Sequence, residues 1–273
     1  MTDFKLQKYR DLGAILTDSF VYIKVHFKSL GKAVLLLVFP FYLVSGFLVG
    51  DAYNSFFSAV FTNPEAAESM IGPNFMMGML LLLMSSVALL TTVLTHVAVA
   101  KQQDDIQLSD ITDRFGMNFL MLFLLYILII LAVSISMLFF IIPGIYVGIK
   151  LFLSPAVTIL ENKNPIDAIT RSWELIQGHW WFTFATYLVM NIITSFMSYV
   201  LIIPFGILMS FFTTAGADSS QSFVSAMGIF YGLMILVASL FTILIVIAMC
   251  LHYFNLIERK EGVGLRQQIE ELG

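Results

Sequence analysis

The sequence predicts an all-α integral membrane protein that crosses the bilayer six times. Of its 273 residues, 59% are hydrophobic and only 12% are charged, about half the charged share of a soluble domain. The mean hydropathy is +0.91. The apolar residues also gather into runs of 18 or more, the length an α-helix needs to cross hydrocarbon. The roughly 10-residue alternating segments of a transmembrane β-barrel are not visible. A soluble chain of this length must cover its core with polar residues, and this one lacks them. Net charge is −4, and the single cysteine, Cys250, sits inside an apolar run. That leaves no basis for a disulfide framework or a cysteine-based metal site.

Taken in order, residues 1–32 read as a cytoplasmic amphipathic leader. Six spans follow between residues 33 and 251: Ala33–Gly50, Phe75–Ala100, Met117–Ile142, Gly144–Leu160, Phe182–Met209 and Phe223–Leu251. No small-residue cleavage site follows the first run, which reads as a retained span rather than a signal peptide. Pro143-Gly144 reads as the tight turn between spans three and four, because proline cannot continue the hydrogen-bond ladder. Residues 252–273 read as a cytoplasmic tail, and the whole chain, 1–273, as one membrane domain.

Basic residues set the orientation. Lys5, Lys8, Arg10, Lys24, Lys28 and Lys32 precede span one, and Lys101 and Arg114 lie between spans two and three. Lys163 and Arg171 lie between four and five, and Arg259, Lys260 and Arg266 follow span six. The loops 51–74 and 210–222 carry no Lys or Arg, so thirteen of the fourteen basic residues fall on one side. The positive-inside rule makes both termini cytoplasmic.

The segment "NPIDAITRSWELIQGHWWF" (164–182) stands out in so apolar a chain. Asn164 is a good helix N-cap, Pro165 suits the first helical position, and Asp167 suits the positive end of the helix dipole. Ile166, Ile169, Trp173, Ile176 and Trp180 recur at 3-4-3-4 spacing, which places one apolar stripe along a helix. Tryptophan favours the membrane–water interface, so the expectation is a surface-lying helix feeding span five after Gly178. The leader contains a blurred copy, "ILTDSFVYIKVHF" (15–27). An offset of 153 residues places Thr17 on Thr170, Ser19 on Ser172, Phe20 on Trp173, Ile23 on Ile176, His26 on His179 and Phe27 on Trp180. A shorter echo, Ile111-Thr112-Asp113-Arg114-Phe115, precedes span three. These readings make Phe20, Phe27, Trp173, Trp180 and Trp181 interfacial anchors, and three units of interfacial helix, outward span and return span a candidate internal repeat. The same residue types at helical spacing would also suit any interfacial helix.

Chemistry-bearing residues are few. No span contains an internal Asp or Glu, which weakens proton- or cation-coupled transport. No metalloprotease, nucleophile-elbow or phosphate-loop motif occurs. His26, His96, His179 and His252 all map near the cytoplasmic interface, where a half-wet imidazole is tolerated; a shared structural role fits them better than a metal cluster, so no metal and no cofactor is expected. Lys150 lies inside span four, where a charge costs about 2.5–3.5 kcal/mol. It should face other helices, with Asn191 as its polar neighbour, and together they form a candidate site for an anionic ligand or lipid; a snorkelling or carbonyl-bonded structural lysine is the plainer reading. Gly46/Gly50, Gly144/Gly148 and Gly228/Gly232 are GxxxG pairs suited to close helix packing.

The ordered set Pro143-Gly144-Ile145-Tyr146, Lys150, Pro155, Glu161, Pro165, Ala168, Arg171-Ser172-Trp173, Gly178 and Trp180, with the tail "YFNLIERKEGVGL" (253–265), resembles a broad bacterial family of multi-span proteins. That family includes YciC-like inner-membrane proteins and the membrane domain of some glycerophosphoryl diester phosphodiesterases. The resemblance implies a six-helix domain in the inner membrane. It implies no phosphodiesterase chemistry, because 22 residues follow span six and the catalytic domain is absent. The expectation is a non-enzymatic structural or accessory subunit engaging membrane lipids, a membrane-protein partner or its own copies, with no nucleic acid. The alternative is a small carrier or channel for an anionic or lipid-like substrate centred on Lys150.

Overall fold

The computed structural model describes residues 4–49, 72–103, 105–214, 234 and 237–262. All secondary structure among them is helical. The helices are α1 (Leu12–Val25), α2 (Phe27–Leu37), α3 (Phe39–Val49), α4 (Pro73–Ala100), α5 (Leu108–Phe139), α6 (Ile141–Leu151), α7 (Ser154–Leu160), α8 (Pro165–Ile176), α9 (Trp180–Thr214) and α10 (Thr242–Glu261). Among the described residues, five segments are long and apolar enough to cross a membrane, six if the bent pair α2–α3 counts as one.

Several boundaries differ from the sequence reading, each for a local reason. Span one starts at Phe27 and bends by 51° between α2 and α3. Pro40 sits in the first turn of α3, where its ring displaces the carbonyl four residues earlier. Span three is one unbroken helix from Leu108, so the echo at 111–115 is not a separate surface helix. Methionine and leucine at 121 and 122 carry the ladder onward. The reversal before span four falls on Phe140, which is extended (φ −168°, ψ 157°). Pro143 and Gly144 lie in the first turn of α6, where a missing N–H costs nothing. Span four is interrupted at residues 152–153, because Pro155 opens α7 and cannot donate back into α6. α10 continues past Leu251 to Glu261, with residues 252–257 buried, and residues 263–273 lie outside the described residues. Much of span six, 223–233 and 235–236, the loop 51–71, Gly50, Gly228 and Gly232 lie outside the described residues.

The described residues of 1–34, 89–192 and 243–273 form one compact unit, and those of 35–88 and 193–242 a second. In the first, α1, the end of α4, α7, α8 and α10 bury Ile15, Tyr22, Leu94, Val97, Leu153, Leu175 and Phe254 almost completely. Gly144 on α6 faces α5 so closely that a Cβ there would come within 2.3 Å of Met137 Cγ, whereas one at Gly148 would meet Val133 at an ordinary 3.9 Å. In the second unit, a Cβ at Gly78 of α4 would lie 3.0 Å from the Val49 backbone nitrogen of α3. Glycine permits that approach of two backbones.

α1 and α8 correspond in their starts and in three buried positions at the offset of 153, though α1 runs two residues longer. N-caps Asp11 and Asn164 each accept a hydrogen bond from a backbone N–H, Ala14 at 2.7 Å and Asp167 at 3.0 Å. The helices start at Leu12 and Pro165, and the next ones at Phe27 and Trp180. Ile15, Ser19 and Tyr22 are buried in one, Ala168, Ser172 and Leu175 in the other. The side of α8 packed against protein is therefore Ala168, Ser172, Leu175 and Ile176. Of the expected stripe only Ile176 belongs to it, and Ile166 is 70% exposed. Trp180 lies in α9, beyond the left-handed turn at Gly178 (φ 83°). The echo does not share the pattern: Arg114 is exposed where Ser19 and Ser172 are buried.

Candidate functional site

Lys150 is 3% exposed. Its Nζ donates to the Trp173 carbonyl at 3.3 Å, and it lies 5.2 Å from the centre of the Trp173 ring and 5.9 Å from that of Tyr146. Ser172 Oγ donates to the Lys150 carbonyl at 2.8 Å. Lys260 Nζ donates to the next carbonyl of α8, that of Glu174, at 2.5 Å. A helix ends with unpaired carbonyls and a partial negative charge. Two lysines from two other helices thus serve the C-terminal end of α8. Lys150 is thus carbonyl-bonded, with its partner on α8, while Asn191 Nδ2 donates to the Tyr187 carbonyl at 2.8 Å on its own helix. A backbone carbonyl suffices there because it lies in the last turn of α8, where the aligned peptide dipoles leave partial negative charge.

The anchor residues keep much of their surface. Phe20 is 41% exposed, Phe27 69%, Trp173 39% and Trp181 76%. Trp180 is half-buried, stacked on Tyr146 and Phe184 with its Nε1 donating to the Tyr146 carbonyl at 3.3 Å.

Two polar nodes escaped the sequence reading. Arg10 is 1% exposed. Its Nε donates to Asp18 at 2.8 Å, and Nη1 and Nη2 donate to the carbonyls of Leu6 and Lys5, each at 2.6 Å. Its backbone N–H donates to Asn255 Oδ1 at 2.8 Å, tying the start of the chain to α10. Burial alone would raise the Asp18 pKa, but the hydrogen bonds from Lys8 and Arg10 and their charges outweigh it and hold the carboxyl below its usual range. The second node is Glu161, at the end of α7. It accepts from Tyr253 at 2.9 Å and pairs with Arg171 at 3.3 Å and Lys163 at 3.1 Å, while Arg171 also pairs with Glu261. Its pKa is likewise lowered, burial being outweighed by Lys163, Tyr253 and Arg171. The one signal in the sequence was that hydrophobic residues continue past Leu251 between Tyr253, Asn255 and Arg259.

The four histidines do not meet; they build two similar corners. Ser29 Oγ lies 3.2 Å from the His26 carbonyl and 2.9 Å from His96 Nε2. Thr183 Oγ1 lies 3.0 Å from the His179 carbonyl and 2.9 Å from His252 Nε2. Tyr22 completes the first corner, its hydroxyl 2.8 Å from His96 Nδ1. Burial lowers the pKa of His26. Among the described residues, no group of three or more His, Cys, Asp or Glu is placed to hold a metal.

Two clefts open in the same unit. One, about 440 Å³, runs past the first histidine corner between Lys24, Lys28, Ser29 and Asp105, with Phe27 at its edge. The other, about 710 Å³, lies between the ends of α4 and α7 and the start of α5, lined by Lys101, Asp113, Arg114, Met117, Asn118 and Leu160 among others. Asn162, also on its wall, has φ 51°. It follows the last turn of α7, where asparagine accepts the left-handed conformation that ends a helix. Against known proteins, no family model, no curated protein and no solved structure matches the chain.

Proposed function

We propose that this chain is a non-enzymatic protein of the cytoplasmic membrane, with both termini in the cytoplasm, whose basic face engages anionic lipid in a structural or accessory role. One observation carries the reading: the 440 Å³ cleft sets Lys24, Lys28 and the Ser29 hydroxyl beside the outward-facing Phe27, two cations against the one carboxylate of Asp105, with the start of α2 on its wall beside the end of α1. Lysines offer charge to a phosphate, and an aromatic ring beside them suits the boundary between headgroups and acyl chains. The engagement of Lys150 with the end of α8 supports a structural role for that lysine over a carrier centred on it. The matched helices α1 and α8 and the paired histidine corners support an internal duplication in which His26 and His179 brace equivalent helix corners. The ordered motifs at 141–182 keep the resemblance to the YciC-like family as the working lineage.

The test is retention of anionic against zwitterionic lipid by the purified full chain, read by native mass spectrometry. Phosphatidylglycerol should be retained over phosphatidylcholine. The Lys24→Ala/Lys28→Ala variant should lose that preference, at about 1 kcal/mol per basic residue near a membrane surface. Equal retention of both lipids by the unaltered chain defeats the reading. Co-purification of a stoichiometric protein partner would specify the accessory role.

A further inference from the structure

The 710 Å³ cleft falls within the range of small-ligand sites, about 300–1,000 Å³, and its charges are of both signs. Lys101 and Arg114 are cationic, and Asp113 is anionic. The cleft also takes in the C-terminal end of α4, a 28-residue helix, which adds about half a negative charge. A purely anionic ligand would be drawn to the two cations and repelled by the carboxylate and the helix end. A purely cationic one would meet the reverse. The three side chains are exposed, so each pairing alone is worth little, and a ligand with both charges gains from both at once.

The site is held in advance by its own bonds. Asn118 Nδ2 donates to Thr95 Oγ1 at 2.8 Å, tying α5 to α4. Lys101 Nζ lies 5.8 Å from the Phe254 ring, and Arg114 Nη2 donates to Gln102 Oε1 at 3.4 Å. Met117, 64% exposed, gives the cleft an apolar edge. Polar walls at a basic helix end, continuing onto an apolar edge, match an amphiphile better than a freely soluble ion. We propose that this cleft receives the headgroup of a phospholipid carrying both a phosphate and a primary ammonium, the phosphate toward Lys101 and Arg114 and the ammonium toward Asp113 and the carbonyl end of α4. This rests on the reading that the chain sits in a membrane and engages its lipids.

The experiment is native mass spectrometry on the full chain in detergent, with phosphatidylethanolamine, phosphatidylglycerol and phosphatidylcholine of identical acyl chains. Phosphatidylethanolamine should be retained most strongly at one site per chain. Asp113→Asn should cut that retention about tenfold, the effect of one charge-assisted hydrogen bond, to the level of phosphatidylcholine, whose quaternary ammonium donates no hydrogen bond. Arg114→Gln should weaken phosphatidylethanolamine and phosphatidylcholine alike and spare the phosphatidylglycerol held at Lys24 and Lys28. Both side chains are exposed, and circular dichroism checks that the helices persist. Unchanged selectivity in Asp113→Asn overturns the cleft assignment and leaves the anionic-lipid reading, scored on Lys24 and Lys28, standing. Displacement of the lipid by an equal concentration of soluble phosphoethanolamine also overturns it, because the apolar edge would then contribute nothing.

Discussion

At Lys150 the chain places a cation where hydrocarbon would cost it about 2.5–3.5 kcal/mol, and the end of α8 offsets that cost. The Lys150–Trp173 and Ser172–Lys150 bonds form a reciprocal clasp between α6 and α8. Lys150→Met should keep the fold and lower stability in detergent by about 1–2 kcal/mol, the loss of one charge-assisted bond partly offset by relief of a buried charge. Ser172→Ala should cost about 1 kcal/mol. The double variant should lose less than the two singles together if the clasp acts as a unit; strict additivity in thermal melts would refute it. The carboxylates give a pH prediction. Asp18 and Glu161 have folded pKa values below their ordinary 3.8 and 4.5. Their contribution is therefore complete above those values and is lost as pH falls through the depressed ones. His26, lowered from 6.5 by burial, is favoured neutral in the fold, so it begins to draw stability away below about pH 6.5. Melting temperature should fall gently below pH 6.5 and steeply below pH 4.5, and Asp18→Asn should flatten the second phase.

For the helices as elements, the instructive case is α8. Its start, its N-cap and its first-turn proline were legible, because capping is chemistry local to four residues. Which face it buries was not. Ile166, Trp173 and Leu175 are alike in hydrophobicity, and only the positions of α5, α6 and α7 decide which of them meets protein. Leu175→Ala should cost about 2–5 kcal/mol, while Ile166→Ala should stay within about 0.5 kcal/mol. Equal losses in denaturant titrations would mean the helix is rotated from its described face. Close helix approach gives a second comparison. Gly78→Ala pushes a methyl toward the α3 backbone, which cannot yield cheaply, and should cost about 1–3 kcal/mol. Gly148→Ala meets only ordinary contact and should be nearly neutral. Gly144→Ala should fall between, because Met137 is flexible enough to turn aside.

For the molecule as a whole, the confinement of Lys and Arg to alternate connections makes topology the decisive measurement. Reporters fused at Gly273 and near Gln102 should report cytoplasm, and reporters near Glu65 and Asp218 the opposite side. A cytoplasmic signal at Glu65 would break the six-span order. Phe27–Val49 is the span most at risk, since its bend leaves two short helices, each too short to cross alone.

Composition and periodicity by themselves determined the all-α class, the apolar segments, the N-cap of α8 and the residue matches between 15–27 and 168–180. Each of these depends on residues adjacent along one helix or on totals over the chain. The break of α2–α3 and the interruption before Pro155 were legible in principle too, since proline breaks ladders from within the sequence. Only the tertiary structure decided that Lys150 is answered by a backbone carbonyl of α8, that Arg10 is buried against Asp18 and α10, and that Lys101, Asp113 and Arg114 share a cleft. Lys150 is met through a backbone carbonyl, a group that every residue possesses and that leaves no mark in the identity of Trp173; the buried Arg10 and the shared cleft depend on side chains that only the packing of α1, α4, α5 and α10 brings into place.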